Sequence, residues 1–434
     1  MSSLLVTSVL LLIHLFYQID CVSKFEKEFW EVDNHKIWAI LVAGSKGWVN
    51  YRHQANVCHA YHLLRAKGIP ANQIITFMYD DIANNQWNPF PGKVFNDYTH
   101  TDYYNGVNID YSYTDVNVDK FIQVLLGDKK LESSGQKVLK SNSENNIFLY
   151  MTDHGSDGTF LFPNAGDILT NLYFNETLTQ MYNDGKYNKM LIYMESCFSG
   201  SMFYDILSPD INVLAVTSAN QHESSMAAFC RDPEVPACLA GGFSYNWISD
   251  SASHDITRRT VAEQFRTVKS SVSQSHVEQF GYVNLGSLEL SYFQGSGEAK
   301  SLGNTTEFHQ VKDEMPASEV QLFSAIHRME TQNSDEQRIL NYKLLKRIVE
   351  LRDLVRKTTE VISDYVKIQE PYRIPPEVNE IRLCQHEVSK AFFHECLSVN
   401  QINDAAYAVR DLTQLCSIGY SSELIVRSII KICH

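Results

Sequence analysis

Cys197 and His154 are the residues on which chemistry in this chain could turn. A thiol becomes a nucleophile when a nearby imidazole takes its proton, and acyl transfer then needs N–H donors aimed at the developing oxyanion. His154 lies in "YMTDHGSDG" and Cys197 in "LIYMESCFSGSM", 43 residues further on. Both segments are apolar runs that break into polar, glycine-containing turns. Gly155 puts no side chain beside the histidine, so its backbone N–H and that of Cys197 are the candidate oxyanion donors. Cysteine is also among the residue types most often buried as small apolar filler. The pair therefore carries chemistry only if the fold brings the two together.

Five apolar runs read as strands: 37–43 "IWAILVA", 74–79 "IITFMY", 147–152 "IFLYMT", 191–194 "LIYM" and 211–216 "INVLAV". Between them lie stretches long enough for helices, such as "YRHQANVCHAYHLLRAKG" at 51–68, which closes on a glycine at a C-cap position. Unbroken apolar strands alternating with helices predict an α/β fold, a mostly parallel sheet covered by helices on both faces. Ligands in such folds bind outside the carboxyl ends of the strands. "GSKGWVNYRHQ", "DHGSDG" and "ESCFSG" all follow strands at that edge. Adjacent parallel strands would set His154 and Cys197 across a narrow gap. A cysteine in a short glycine-containing signature with its histidine about 50 residues upstream is similar to the caspase pattern.

With 434 residues, 44% hydrophobic, 12% aromatic and 20% charged, the chain has apolar surface enough for more than one globular unit. A net charge of −14 argues against nucleic acid as a partner. Residues 334–434 hold 14 Lys+Arg against 14 Asp+Glu, so the whole excess falls on the first 333 residues. The basic stretch Arg338, Lys343, Lys346, Arg347, Arg352, Arg356 and Lys357 could clasp an acidic surface and let go in acid; the alternative is a solvated helix face.

The N-terminus, "MSSLLVTSVLLLIHLFYQIDCVS", reads as a signal peptide over 1–22, and no other segment is long and apolar enough to span a membrane. N-glycosylation acceptors at Asn175 and Asn304 agree with a secretory route. Of nine cysteines, Cys384, Cys396, Cys416 and Cys433 fall in the last 51 residues, a density suited to a disulfide-stapled module whose pairing sequence leaves open three ways. Cys21 goes with the signal peptide, and Cys230 and Cys238 are close enough for a local bridge, which leaves Cys58 and Cys197 as free thiols. The expected organisation is a catalytic domain over 23–295, a polar linker over 296–333 and a helical bundle over 334–434.

Other chemistries fit less well. Cys58, His59 and His62 cannot all face one ion, so no metal is expected. Ser199 lacks a nucleophile-elbow frame, and "GSKG" lacks the spacing of a phosphate loop. No cofactor is called for.

"WAILVAGSKGWVNYRHQANVCHAYHLL", "MYDDIANN", "NPFPGKVFNDY", "YMTDHGSDG" and "ESCFSGSMF" together resemble the legumain family of asparaginyl endopeptidases, and especially its members from blood-feeding parasites, formerly called haemoglobinases. The resemblance covers nearly the whole chain. It implies a caspase-like cysteine endopeptidase with Cys197 as nucleophile, His154 as general base and acid, and Asn50 orienting the imidazole. Asp153 would match the family aspartate that can form a succinimide and is linked to ligation. Arg52, His53, Glu195 and Ser225 would line the pocket for the residue before the scissile bond, a zwitterionic wall suited to a carboxamide.

An acidic residue of the family is missing where this chain has Gly241 and Gly242. A bound Asn would lose an acceptor worth about 1–3 kcal/mol, which weakens the Asn preference or raises tolerance of Asp. The resemblance further implies a zymogen whose C-terminal prodomain covers the site and is released in acid after cleavage at Asn333–Ser334. It also implies disulfides Cys384–Cys416 and Cys396–Cys433, protein or peptide substrates, cystatin-type inhibitors, and a lysosome, endosome or acidic digestive lumen as the place of action. Competing readings are a glycolipid-anchor transamidase-like enzyme and an inactive binding protein on the same fold.

Overall fold

The computed structural model describes residues 33–164, 166–296, 311, 313–331, 334–370, 376–396 and 405–434. The expected signal peptide, Asn304 and Asn333 lie outside the described residues.

All five expected strands form and share one sheet. They are β1 (Ile37–Ala43), β2 (Ile74–Phe77), β3 (Asn146–Thr152), β7 (Lys189–Glu195) and β8 (Val213–Thr217), all parallel to their neighbours. The spatial order is β2-β1-β3-β7-β8-β11, in which β11 (Glu278–Gly281) adds an antiparallel edge strand that has no apolar run in the sequence. Only half-buried, "EQFG" has no second covered face to demand one.

Alternation along β1 shows how both faces are covered. Ile37, Ala39, Leu41 and Ala43 pack with helices α1 (Tyr51–Ala66), α4 (Gly242–Ser253) and α5 (Val261–Ser271). Trp38, Ile40 and Val42 pack on the other face with α2 (Val118–Leu126) and α3 (Asn171–Asn183). Burial on both sides fixes the register, because a slip of one residue would exchange the two sets of side chains.

Two small sheets frame the carboxyl edge. β4 (Gly155–Ser156), β5 (Thr159–Leu161) and β6 (Ile168–Thr170) form one; β9 (Met226–Ala228), β10 (Ala240–Gly241) and β12 (Met315–Pro316) form the other. Chain after β12 continues into α6 (Val320–Thr331) and then a helical region of α7 (Asp335–Gln369), α8 (Val378–Glu395), α9 (Ala405–Ser417) and α10 (Ser422–Cys433). Its core, including Ile348, Val355, Ile362, Val388, Phe392, Leu412 and Ile429, takes in Leu161 of β5. Disulfides join Cys230–Cys238, Cys384–Cys416 and Cys396–Cys433, while Cys58 and Cys197 are free.

One expectation needs correction. Asn175 sits inside α3 with only 6% of its surface exposed, and its amide nitrogen donates to the carbonyls of Asn171 at 2.9 Å and Met202 at 3.0 Å. A glycan there would have to displace both bonds and the packing around them, so Asn175 is a structural residue in this fold. Part of the basic stretch of α7 is paired within its own helix: Arg338, Lys346, Arg356 and Lys357 meet acids of α7, while Arg352 meets Glu319 of the linker at 2.9 Å.

The Cys384–Cys416 bridge closes 32 residues of the helical region. Replacing both cysteines by serine should destabilise that region by about 3–4 kcal/mol on the chain-entropy estimate, read as a lower Tm for the loss of its helical signal.

Candidate active site

The β3–β7 ladder positions the reacting pair. Thr152 is registered with Glu195, and His154 and Cys197 each lie two residues beyond. The Asp153 N–H still reaches back to the Glu195 carbonyl at 3.0 Å, so the strands part only at the catalytic residues. Gly155 follows, and a Cβ there would stand 2.5 Å from the Cys197 carbonyl oxygen and 2.7 Å from Ser196 Oγ. Only glycine permits this approach, which brings the Gly155 backbone beside that of Cys197. Phe198, at φ 56°, turns the chain away at once, and its N–H donates to the Glu223 carbonyl at 2.8 Å.

Asn50 sets the imidazole. It occupies the N-cap position of α1 yet makes no side-chain cap bond. Its Nδ2 donates to the Lys46 carbonyl at 2.9 Å, which turns Oδ1 toward His154 Nε2 at 2.8 Å. An amide oxygen only accepts, so Nε2 carries the proton and Nδ1 is left to take one. Burial, then the Arg52 charge, holds the His154 pKa well below the usual imidazole range. Neutral histidine is the form a general base requires.

Arg52, His53, Asp153 and Glu195 are buried around this pair. His53 Nδ1 meets Ser45 Oγ at 2.6 Å and Asp153 Oδ1 at 3.3 Å, and burial depresses its pKa strongly. Burial raises Asp153 well above the carboxylate range. Ser225 Oγ lies 3.8 Å from Cys197 Sγ, and Ser224 Oγ is nearer, at 3.3 Å. Glu195 accepts from the N–H groups of Phe243 at 3.1 Å and Ser244 at 3.4 Å, from Ser244 Oγ, and from Asn56 Nδ2 at 3.2 Å. Despite these donors, burial pushes its pKa up to about 7.

The neighbourhood of Gly241 is set by Glu195. A Cβ on Gly241 would lie 2.1 Å from Glu195 Oε2, so the Glu195 carboxylate already fills that space.

The linker and the helical region lie across this edge. Ala317 N–H donates to the Ser225 carbonyl at 2.9 Å, and Ala317 packs with Cys197 and Phe198. From α9, the Tyr407 ring stacks edge-on against Phe198 with centroids 5.1 Å apart, and its hydroxyl interacts with Cys197, Ser224 and Ser318. Arg410 lies over the same Phe198 ring, 5.4 Å from its centroid.

A model of the peptidase C13 family matches residues 37–296. The chain belongs to the peptidase C13 family. It is 42% identical to hemoglobinase from Schistosoma japonicum over 416 residues, 96% of each chain. Hemoglobinase from Schistosoma mansoni is 40% identical over 433 residues, 99% of each, and legumain from Bos taurus 38% identical over 414 residues, 93% of this chain and 94% of that one. This C13 chain is accordingly a cysteine endopeptidase of the legumain type, on the caspase-like α/β fold expected of it.

The C13 site also uses residues that sequence reasoning passed over: Ser45 on His53, Asn56 and Ser244 on Glu195, Ser224 and Tyr407 at Cys197. Polar residues bunched at one end of α1 were the available signal for Asn56; Tyr407 had none. Among the described residues, His53, Asp153 and His154 bring ligand atoms within 4.8 Å of one another, a spacing that could hold a metal ion. The Arg52 charge, which acts on all three, opposes a second cation there.

Glu195 should impose a pH dependence on stability. Its folded pKa lies above its unfolded one, so the folded state holds the proton more tightly and is favoured below about pH 4.5. That advantage is lost as pH rises toward 7, the value to which burial moves the group. Glu195→Gln should flatten the fall in Tm between pH about 4.5 and 7; an unchanged slope would place the titration elsewhere.

Proposed function

We propose that this chain is made as a zymogen in the secretory pathway and, once released in acid, cuts peptide bonds after Asn, and after Asp at lower pH. The observation that carries the reading is the neutral His154, held by Asn50 through Nε2, at the same strand ends as Cys197.

In this reading His154 Nδ1 takes the Cys197 proton and the thiolate attacks the scissile carbonyl. Backbone N–H groups of Gly155 and Cys197 receive the oxyanion. The imidazolium then protonates the leaving amine, and water, deprotonated by His154, hydrolyses the thioester. Arg52, His53, Glu195 and Ser225 would recognise the side chain before the cut. Gly241 would contribute by leaving room for Glu195. Asp153, buried beside His53, remains the candidate for succinimide formation and ligation.

Residues 334–434 would act as the inhibitory prodomain, with 296–333 as the linker cut at Asn333–Ser334. Tyr407 against Cys197 supports this, because a substrate carbonyl and that hydroxyl would compete for the same surroundings. Asp157 qualifies the acid switch. It accepts from Gln385 at 3.2 Å and Thr413 at 3.3 Å, and burial raises its pKa. Burial in the intact chain favours the protonated form of Asp157, so its protonation by itself is no trigger for release. The Arg352–Glu319 pair works in the opposite sense, since protonating the carboxylate removes its charge. Lysosomes, endosomes or an acidic lumen would suit such an enzyme, and cystatin-type proteins would be fitting inhibitors.

Purified protein held at pH about 5 should lose the C-terminal region and then turn over an Asn-ending fluorogenic peptide far faster than its Gln counterpart. Cys197→Ala should abolish both steps while leaving the Tm unchanged within a few degrees. Asn333→Gln should block release but not folding. Equal turnover of Asn and Gln peptides, or activity surviving in Cys197→Ala, would sink the reading.

A further inference from the structure

The linker shows what kind of peptide this edge can hold. Residues 313–317 lie along β9, with Met315 opposite Ala227, Pro316 opposite Met226, and the Ala317 N–H on the Ser225 carbonyl at 2.9 Å. Ala317 is the residue packed against Cys197, so Glu314 and Asp313 stand three and four residues before it. Both carboxylates are held by the catalytic part of the chain. Asp313 accepts from the backbone N–H groups of Phe229 at 3.1 Å, Cys230 at 2.8 Å and Arg231 at 3.3 Å, and from the Tyr98 hydroxyl.

Glu314 Oε2 accepts from Ser273 N at 3.0 Å and Ser273 Oγ at 2.8 Å. Its Oε1 points into the gap at Gly242, where a Cβ would come within 2.6 Å of it, and has no hydrogen-bond partner. Gly241 makes room for Glu195 and Gly242 for Glu314, so the two glycines open separate spaces. The first 333 residues carry the whole net charge of −14, an unfavourable background for binding anions. Against it, this edge offers three consecutive backbone N–H groups, a serine and a glycine gap to two successive acids.

We propose that β9, Gly242, Ser273 and the backbone of residues 229–231 form a subsite for two consecutive acidic side chains of a peptide, three and four residues before the one at Cys197. The linker occupies this subsite in the intact chain, and a substrate strand adds to β9 in its place once the linker leaves. Substrates with an acidic pair at that distance from the cut are then preferred. The substrate half of this proposal rests on the endopeptidase reading above; occupation of the subsite by the linker does not.

Two measurements test it. In the intact chain, Glu314→Gln combined with Asp313→Asn should speed amide exchange at Ala317 by about tenfold, because the strand loses charge-assisted bonds. An unchanged exchange rate would overturn the subsite. In acid-activated protein, Asp-Glu-Ala-Ala-Asn peptides should exceed Gln-Gln-Ala-Ala-Asn peptides by about tenfold in kcat/KM, mainly through KM. That ratio should collapse in Gly242→Ala. Equal kcat/KM for both peptides in the unaltered protein would overturn the preference. Turnover of neither peptide, with exchange at Ala317 accelerated, would defeat the endopeptidase reading and leave the subsite standing.

Discussion

Thr152 and Glu195 face each other across the β3–β7 ladder, and every reacting group is placed relative to that pair. Two residues further along each strand come the imidazole and the thiol. The ladder itself is held by apolar side chains buried on both faces, so its register is costly to shift. Catalytic geometry here is thus secured by a core that contains no catalytic residue. Around it, Gly155 keeps the two backbones close, and the turn at Phe198 stops β7 from running on past the nucleophile.

Polar groups at this edge are bought at a local cost to the elements that carry them. Asn50 stands where an asparagine ordinarily caps a helix, and α1 begins without a side-chain cap because that amide is committed to Lys46 and His154. Glu195 is similar: four donors hold it, yet burial still makes the charged form expensive.

The parts of the fold governed by apolar patterning were legible in the sequence. Ile37–Ala43 is an unbroken apolar run, Asn146–Thr152 and Lys189–Glu195 each contain one, all three bury side chains on both faces, and the turns after them held the candidate residues. β11 was not legible, because a half-buried edge needs no such run. His154, Cys197 and Asn50 could be found from residue type and position. Tyr407 could not: its role depends on a contact between segments some 200 residues apart in sequence, and nothing in "NDAAYAVRD" marks it. The closeness of Glu195 to Gly241 was illegible for a related reason, since an absent side chain says nothing of which neighbour stands in the space. Asn175 misled because a three-residue acceptor triplet carries no information on burial.

The burial of Asn175 has another side. On the proposed specificity the enzyme must survive its own activity, and a cleavable asparagine has to be drawn out as extended chain. Asn50, Asn56, Asn96, Asn171 and Asn175 are all buried, and each has its amide in hydrogen bonds within the fold. Asn84, Asn105, Asn142 and Asn183, by contrast, are exposed, so exposure alone does not choose a bond for self-digestion: a loop or helix asparagine must also yield an extended stretch of chain on either side of it.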